Sequence, residues 1–229
     1  MSTLISFGAG GDEPYALLLG ATGSSALALR RIDDPTGTVV LDVEGWRSPA
    51  NAVDLAVLAD LEGPLLDVGC GPGRMVRAAE ENGLAALGID ISADAAALAA
   101  TNGTPVLRRS IFERLPLEGL WATVLLMDGN IGIGGDPAAL VSRCAELMAD
   151  DGCLVVEVDV DPELLDCAVY TAVGQDGHES APFPWARVGS AALARLGSLS
   201  GLVVADAWAD GLRRFVVLRK DRASSAPQQ

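Results

Sequence analysis

The stretch that decides the fold is residues 65–74, which read Leu-Leu-Asp-Val-Gly-Cys-Gly-Pro-Gly-Arg. Its first four residues are typical of a buried strand, and a helical pattern follows over 74–82. Glycine lacks a Cβ and tolerates positive φ, so the chain can turn sharply here and a ligand can approach the backbone closely. In open α/β sheets, ligands bind in the crevice at this end of the strands. The turn contains three such residues: Gly69, Gly71 and Gly73.

Short apolar runs alternate with helical patterns after this turn. Further strands are predicted at 84–89, 105–109, 122–127 and 153–158, with helices between them that start near Ser92, at Asp136-Pro137 and, later, at Ser190. Val- and Leu-rich strands without polar alternation are typical of a sheet buried on both faces, and strict alternation with helices predicts parallel strands. An Asp-Gly step between 202–208 and 212–218 predicts a closing antiparallel hairpin. We therefore predict an α/β fold with a doubly wound, mostly parallel, seven-stranded sheet.

The first sixty residues lack this alternation. Residues 26–32 and 38–43 flank Asp-Asp-Pro-Thr-Gly, which indicates another hairpin, and Ser48-Pro49 predicts the start of a helix. We interpret residues 1–62 as an N-terminal cap of hairpin and helix, 63–221 as the ligand-binding domain, and 222–229 as a flexible polar tail.

Composition restricts the partners. The chain has 229 residues, is 50% hydrophobic, and carries a net charge of −15. Lys220 is its only lysine and its arginines are dispersed, whereas nucleic-acid binding needs clustered cations, so we expect no nucleic-acid partner. No apolar stretch reaches the ~20 residues that span a bilayer. The four cysteines form no Cys-x-x-Cys pair, so we expect reduced thiols. From the short apolar stretches and the cysteines together, we expect no membrane association and a cytoplasmic location. The oligomeric state is not predicted.

A second carboxylate complements the glycine turn. Asp90 follows Gly73 by seventeen positions, at the end of the next predicted strand, where an acid can accept hydrogen bonds from both ribose hydroxyls. A dinucleotide-binding loop would read G-x-G-x-x-G, but Arg74 occupies the position of its last glycine. The shorter pattern suits a ligand without a phosphate and with a cationic amino acid end, which Asp67 can bind.

These two motifs resemble those of the class I S-adenosylmethionine-dependent methyltransferases. Residues 65–74 are similar to the glycine-rich loop of that family, and Gly-Ile-Asp-Ile-Ser at 88–92 is similar to its ribose-binding turn. The resemblance extends in order over residues 63–218. It implies a Rossmann-like methyltransferase fold, S-adenosylmethionine as cofactor, and a set of cofactor-binding residues: Asp67, Gly69, Cys70, Gly71, Gly73, Arg74, Asp90, Ile91, Ser110, Ile111, Asp128 and Asn130.

The resemblance implies less about catalysis. Residues 127–132 do not contain the Asn/Asp-Pro-Pro-Tyr motif of enzymes that methylate nucleobases or glutamine, so those acceptors are disfavoured. A hydroxyl or carbon acceptor needs a base, and we predict His178, the only histidine, and Asp128 as catalytic residues. We expect no metal. The alternative is Mg²⁺ held by Asp128, Asp159 and Asp161.

The acceptor is expected to be a small apolar or aromatic molecule. Residues 181–185 read Ala-Pro-Phe-Pro-Trp and are predicted to form an aromatic loop before the last helix. Further aromatic residues lie in the segments outside the sheet: Tyr15, Trp46 and Tyr170. These side chains either contact the acceptor or pack the cap onto the sheet. Two other functions stay open: a nucleotide-binding oxidoreductase domain of the NAD type, and an S-adenosylmethionine-binding protein without catalysis.

Overall fold

The computed structural model describes residues 27–34, 38–174 and 177–221. Tyr15 and the predicted tail lie outside these residues. The described strands are β1 (Leu27–Arg31), β2 (Thr38–Leu41), β3 (Leu65–Val68), β4 (Ala86–Asp90), β5 (Val106–Arg108), β6 (Trp121–Leu126), β7 (Met148–Val158), β8 (Leu165–Gly174), β9 (Phe183–Val188), β10 (Leu202–Asp210) and β11 (Arg213–Lys220). The described helices are α1 (Val43–Arg47), α2 (Ala52–Leu58), α3 (Arg74–Glu81), α4 (Ala93–Thr101), α5 (Pro137–Leu147) and α6 (Ser190–Leu199), with a short 3₁₀ helix at Asn130–Gly135.

The main sheet has seven strands in the order β10-β11-β7-β6-β3-β4-β5. The five strands β7, β6, β3, β4 and β5 are parallel to one another. The last two strands are antiparallel: β11 pairs with β7, and β10 pairs with β11. The predicted fold class is therefore confirmed. From β3 the chain proceeds outward through β4 and β5, then returns to β6 on the other side. Ligands bind at such a switch point, because the connections diverge there and leave a crevice.

The helices cover both faces of this sheet. On one face, Leu66, Val124 and Leu154 belong to a buried cluster with side chains of α5 and α6. Their strand neighbours point the other way, and Leu65 and Val155 pack in a second cluster with side chains of α2 and α3. Because successive strand residues face opposite sides, an uninterrupted apolar strand supplies both clusters.

A second sheet, with the antiparallel order β2-β1-β8-β9, lies beside the first. The hairpin of β1 and β2 agrees with the prediction, whereas β8 and β9 were not predicted, and the expected loop at residues 181–185 was wrong in part. Phe183 and Trp185 lie in β9, where they pack with Leu27, Leu29 and Tyr170. The N-terminal hairpin therefore pairs with a segment about 140 residues later, since Leu29 is opposite Ala172.

The helix after Ser48 starts later than predicted. Ser48 ends α1, where its hydroxyl donates to the carbonyl of Glu44, and α2 begins after Asn51. The Asn51 side chain accepts hydrogen bonds from the N–H groups of Val53 and Asp54, at 2.9 and 3.0 Å. Asp54 in turn accepts from the N–H of Asn51, which completes a capping box. Within the described residues, no helix has the length and apolarity needed to cross a membrane.

Candidate active site

A cavity of about 540 Å³ opens at the carboxyl ends of β3, β4 and β6, where the strand order reverses. This volume lies within the usual range for small-molecule sites. The cavity is lined by eleven of the twelve predicted cofactor-binding residues: Asp67, Gly69, Cys70, Gly71, Arg74, Asp90, Ile91, Ser110, Ile111, Asp128 and Asn130. It is also lined by residues that were not predicted to bind the cofactor, among them Trp46, Arg109, Phe112, Ile133, Pro184 and Trp185.

The glycine turn is packed too tightly for side chains. Gly69 has a φ of +72°, and a Cβ there would lie 2.8 Å from the Asn130 amide nitrogen and 2.9 Å from Ile133 Cδ1. That amide nitrogen donates to the carbonyls of Val68 and Gly69, at 2.9 and 3.0 Å. The Asn130 side chain thus holds the backbone of the turn in place, and it can approach so closely because Gly69 has no Cβ.

Asp67, in β3, places its carboxylate on the cavity wall. Its side chain is 2% exposed, and none of the described residues donates a hydrogen bond to it. Burial raises the pKa of Asp67 to about 7, the negative charge of Asp128 adds to this, and Arg74 opposes it. Because this carboxylate borders the cavity and none of the described residues donates to it, it suits an ammonium group that arrives with a ligand.

Asp90 ends β4 and organises the next turn. One carboxylate oxygen accepts from the N–H of Gly71 at 2.9 Å, and the other accepts from the N–H of Ser92 at 2.8 Å. Burial raises the pKa of Asp90, and these N–H groups oppose the increase. Each oxygen can still accept one more hydrogen bond from the cavity, as two adjacent ribose hydroxyls would require.

The loop after β5 lines the cavity beyond Asp90. Ser110 accepts a weak hydrogen bond from the N–H of Phe112 at 3.3 Å, and its own N–H donates to Glu113 at 2.8 Å. Ile111 is buried, and its carbonyl accepts from Arg143 at 3.0 Å. The loop therefore presents a fixed apolar surface, Ile111 and Phe112, to a flat group lying across it.

Five charged side chains meet beside the glycine turn, and we call them the ion cluster: Asp54, Arg74, Asp128, Glu157 and Arg213. Arg74 binds Asp54 and also donates to Asp128 at 2.6 Å. Burial raises the pKa of Asp128, while the charge of Arg74 opposes the increase. Asp54, Glu157 and Arg213 were not predicted, because nothing in their local sequence separates them from solvated charges.

Two predicted site residues lie elsewhere. Gly73 caps α3 with a φ of +86°, and a Cβ there would lie 2.6 Å from Thr104 Cγ2, so it serves the turn. His178 is exposed, in the connection between β8 and β9, and is not among the described residues that line the cavity. This position gives it no contact with the proposed ligand site.

The carboxylates of the Mg²⁺ alternative are not brought together. Asp159 pairs with Arg187, at 2.5 and 3.1 Å, whereas Asp128 pairs with Arg74. In the described part of the chain, no group of three or more His, Cys, Asp and Glu side chains is close enough to hold a metal ion. The structure therefore gives this alternative no support.

The aromatic residues divide between the two predicted roles. Trp46 and Trp185 line the cavity and also pack in the core of the second sheet. Tyr170 is buried in that core, and its hydroxyl donates to Asp166 at 2.6 Å. It is not among the described lining residues, so packing is its role, whereas the two tryptophans both pack in this core and line the cavity.

Solved structures share this fold. A SAM-dependent methyltransferase from Bacteroides fragilis, in complex with S-adenosylhomocysteine, has a TM-score of 0.73 and 18% identity, covering 90% of this chain and 92% of that chain. The 1,6-didemethyltoxoflavin-N1-methyltransferase of Burkholderia thailandensis, with 1,6-didemethyltoxoflavin and S-adenosylhomocysteine bound, has a TM-score of 0.55 and 18% identity, covering 74% of this chain and 77% of that chain. A sugar N-methyltransferase from Streptoalloteichus has a TM-score of 0.55 and 17% identity, covering 73% and 85%.

The comparison with protein families identifies the chain. No curated protein gives a significant match. A family model described as "Methyltransferase domain" matches residues 43–187, which is more than half of the chain. The predicted resemblance is thereby confirmed, and the oxidoreductase alternative is disfavoured. The fold and this match agree, and the chain belongs to the methyltransferase-domain family.

Proposed function

We propose that this chain transfers a methyl group from S-adenosylmethionine to a small-molecule acceptor with an apolar, planar part. The observation that carries the proposal is the pair of carboxylates, Asp67 and Asp90, that face one cavity from neighbouring strands across a glycine turn. Family membership supports methyl transfer. The B. fragilis and B. thailandensis neighbours were solved with S-adenosylhomocysteine, which supports this donor.

The lining residues fit the three parts of the donor. Asp67 lines the cavity, receives no hydrogen bond from the described residues, and suits the ammonium group of the methionine end. Asp90 suits the ribose hydroxyls. Ile91, Ser110 and Ile111 lie beyond it and suit the adenine ring, while the glycine turn, including Cys70, lets the ligand approach the backbone.

The chain's own contribution is placement and desolvation. The bound donor supplies an already activated methyl group, so catalysis depends on holding an acceptor lone pair in line with it, about 3 Å away. Pro184 and Trp185 from the second sheet and Trp46 from α1 form an apolar wall for that acceptor. Of the two predicted catalytic residues only Asp128 faces the cavity, and we assign to its carboxylate any proton that the acceptor must lose.

Titration calorimetry with S-adenosylhomocysteine tests the donor site. We expect the wild type to bind it and not to bind NAD, and we expect Asp90→Asn to weaken binding at least tenfold, because one ribose acceptor is lost. Asp94→Asn, which makes the same charge change on an exposed part of α4, is the matched control and should bind within twofold of the wild type.

Methyl transfer is then assayed with labelled S-adenosylmethionine and a panel of planar amines and phenols. Transfer to a member of the panel supports the acceptor class, and a His178→Ala variant as active as the wild type excludes His178 as the base. If neither S-adenosylmethionine nor its demethylated product binds, the proposal is wrong.

A further inference from the structure

The ion cluster reaches the cavity through only two of its members. Arg74 and Asp128 line the cavity, whereas Asp54, Glu157 and Arg213 are not among the described lining residues. The five residues come from α2, α3, the end of β6, β7 and β11. The cluster thus joins the C-terminal hairpin to the glycine turn, although Arg213 lies 139 positions after Arg74.

Arg213 is the member of the ion cluster that contacts both Glu157 and Asp54. Its Nε and Nη2 donate to the two carboxylate oxygens of Glu157, at 2.8 and 2.7 Å, and its Nη1 donates to Asp54 at 2.8 Å. The guanidinium also lies over the ring of Phe215, 5.2 Å from its centroid. Only a planar, forked cation can make the paired bonds to Glu157 and still reach Asp54.

The contact of Arg213 with Glu157 leads to Asp128. Its N–H donates to Glu157 at 2.8 Å, and its φ is +55°, a left-handed conformation that residues with a Cβ rarely adopt. Such a conformation persists only where neighbouring contacts hold it. Here the contact is the Glu157 carboxylate, and that carboxylate is oriented by both arms of Arg213.

The contact of Arg213 with Asp54 leads to Arg74. Asp54 has no exposed surface and accepts hydrogen bonds from both Arg74 and Arg213. Burial would raise the pKa of Asp54, but these two guanidinium groups outweigh burial and lower it, so Asp54 stays charged. Arg74 in turn donates to Asp128 at 2.6 Å, so both paths from Arg213 end at Asp128.

We propose that Arg213 is a positioning residue for the methionine end of the donor: through Glu157 and Asp54 it holds Asp128 and Arg74 in place at the cavity wall. The inference rests on the proposed function, since it assumes that these two side chains face the donor. Arg213 itself is not among the described lining residues. Its effect reaches the ligand through the guanidinium of Arg74 and through Asp128, whose N–H is held by Glu157 and whose carboxylate also pairs with Arg213 Nη2 at 3.6 Å.

The affinity for S-adenosylhomocysteine, measured by calorimetry on the full chain, tests the inference. We expect Arg213→Lys and Glu157→Gln each to weaken binding at least fivefold. Lysine keeps the charge but cannot bridge Glu157 and Asp54, and glutamine keeps the shape but loses the charged pair. If Arg213 only stabilised the fold, Arg213→Lys, which preserves the charge, would keep both the stability and the affinity of the wild type.

Two controls separate positioning from loss of stability. Val216→Ala weakens the same strand on the opposite face of the sheet, and Arg214→Lys makes the same substitution one residue later. Both should bind within twofold of the wild type at a temperature where circular dichroism shows every variant folded. The inference is wrong if Arg213→Lys loses less than fivefold, or if Val216→Ala loses as much. A wild type that does not bind at all overturns the proposed function first, and this inference with it.

Discussion

At the scale of single residues, the charge of Asp67 decides how tightly a cation binds. This carboxylate is almost fully buried and receives no hydrogen bond from the described residues, so its proton is lost only near a pH of about 7. The charged groups that act on it are Asp128, Asp90 and Asp54, which favour the proton, and Arg74, which opposes it. An arriving ammonium group would favour the ionised form instead.

We therefore predict that binding of S-adenosylhomocysteine strengthens as the pH rises through 7. With a pKa of about 7, the ionised fraction of Asp67 in the free protein rises about tenfold between pH 6 and 8, and the apparent affinity should rise with it. Calorimetry in two buffers of different ionisation enthalpy should show proton release near pH 7. Asp67→Asn should bind at least tenfold more weakly and with little pH dependence. An unchanged pH profile in this variant would assign the titration to another group.

Ionisation of Asp67 is expected to increase ligand affinity as the pH rises but to decrease the stability of the free protein. Because the folded-state pKa is raised, the folded chain keeps a proton that the unfolded chain loses above a pH of about 4. The contribution of Asp67 to the free energy of unfolding therefore falls as the pH rises from about 4 toward 7. A bound ammonium group would favour the ionised form of Asp67 and so oppose this loss of stability.

Local sequence was enough to predict the cavity-facing residues of the glycine turn and of β4. Gly69 and Asp90 stand at strand ends, so their neighbours along the chain place them at one edge of the sheet. The remaining members of the ion cluster could not be found in this way. Asp54 binds both Arg74 and Arg213 only because α2, α3 and β11 meet in the folded chain, and no periodicity distinguishes Asp54 and Arg213 from exposed charges.

At the scale of elements, the cap of α2 shows how a start signal is misread. Ser48-Pro49 matches a helix start, but Asn51 makes the cap and Ser48 closes the preceding helix. The competing signal was three residues away and of the same type, since Asn is as good a cap as Ser. The capping box also orients Asp54, whose carboxylate accepts from the N–H of Asn51 at 2.9 Å while it binds two arginines.

We predict that Asn51→Ala lowers the free energy of unfolding by about 1 kcal/mol, the usual loss for a helix cap. The variant should also weaken S-adenosylhomocysteine binding by a few fold, because Asp54 loses part of its support. Ser48→Ala, whose hydroxyl makes only a local bond to Glu44, should change stability by less than about 0.5 kcal/mol. Urea denaturation measures both variants, and equal losses would contradict the assignment of the cap.

The second sheet was missed for a related reason. Residues 165–174 contain β-branched and aromatic residues, and the first part of β8 alternates between exposed and half-buried positions, as an edge of a partly covered sheet does. The strand could be recognised only from its partner β1, which precedes it by more than 130 residues. Parallel strands joined by helices repeat a local pattern, whereas this pairing depends on two distant segments.

At the scale of the whole molecule, the two sheets share the cavity. Trp185 and Pro184 of β9 form one wall, while the turns after β3, β4 and β6 form the others. Close packing joins them, because a Cβ on Gly135 of the 3₁₀ helix would lie 2.7 Å from Pro184 Cβ. A ligand in this cavity would contact both sheets, and its binding energy would stabilise them together.

We predict that S-adenosylhomocysteine raises the melting temperature of the whole chain in one transition. At 100 times the dissociation constant a ligand adds about 2.7 kcal/mol to the free energy of unfolding. For a domain of this length each kcal/mol raises the melting temperature by about 2–4 °C, so the expected increase is about 5–11 °C. Tryptophan fluorescence, which samples Trp185 in the second sheet and Trp121 in the first, should coincide with far-ultraviolet circular dichroism. NAD at the same concentration should give no increase. Two separate transitions, of which only one responds to the ligand, would show that the sheets unfold independently and that the second one is not a wall of the site.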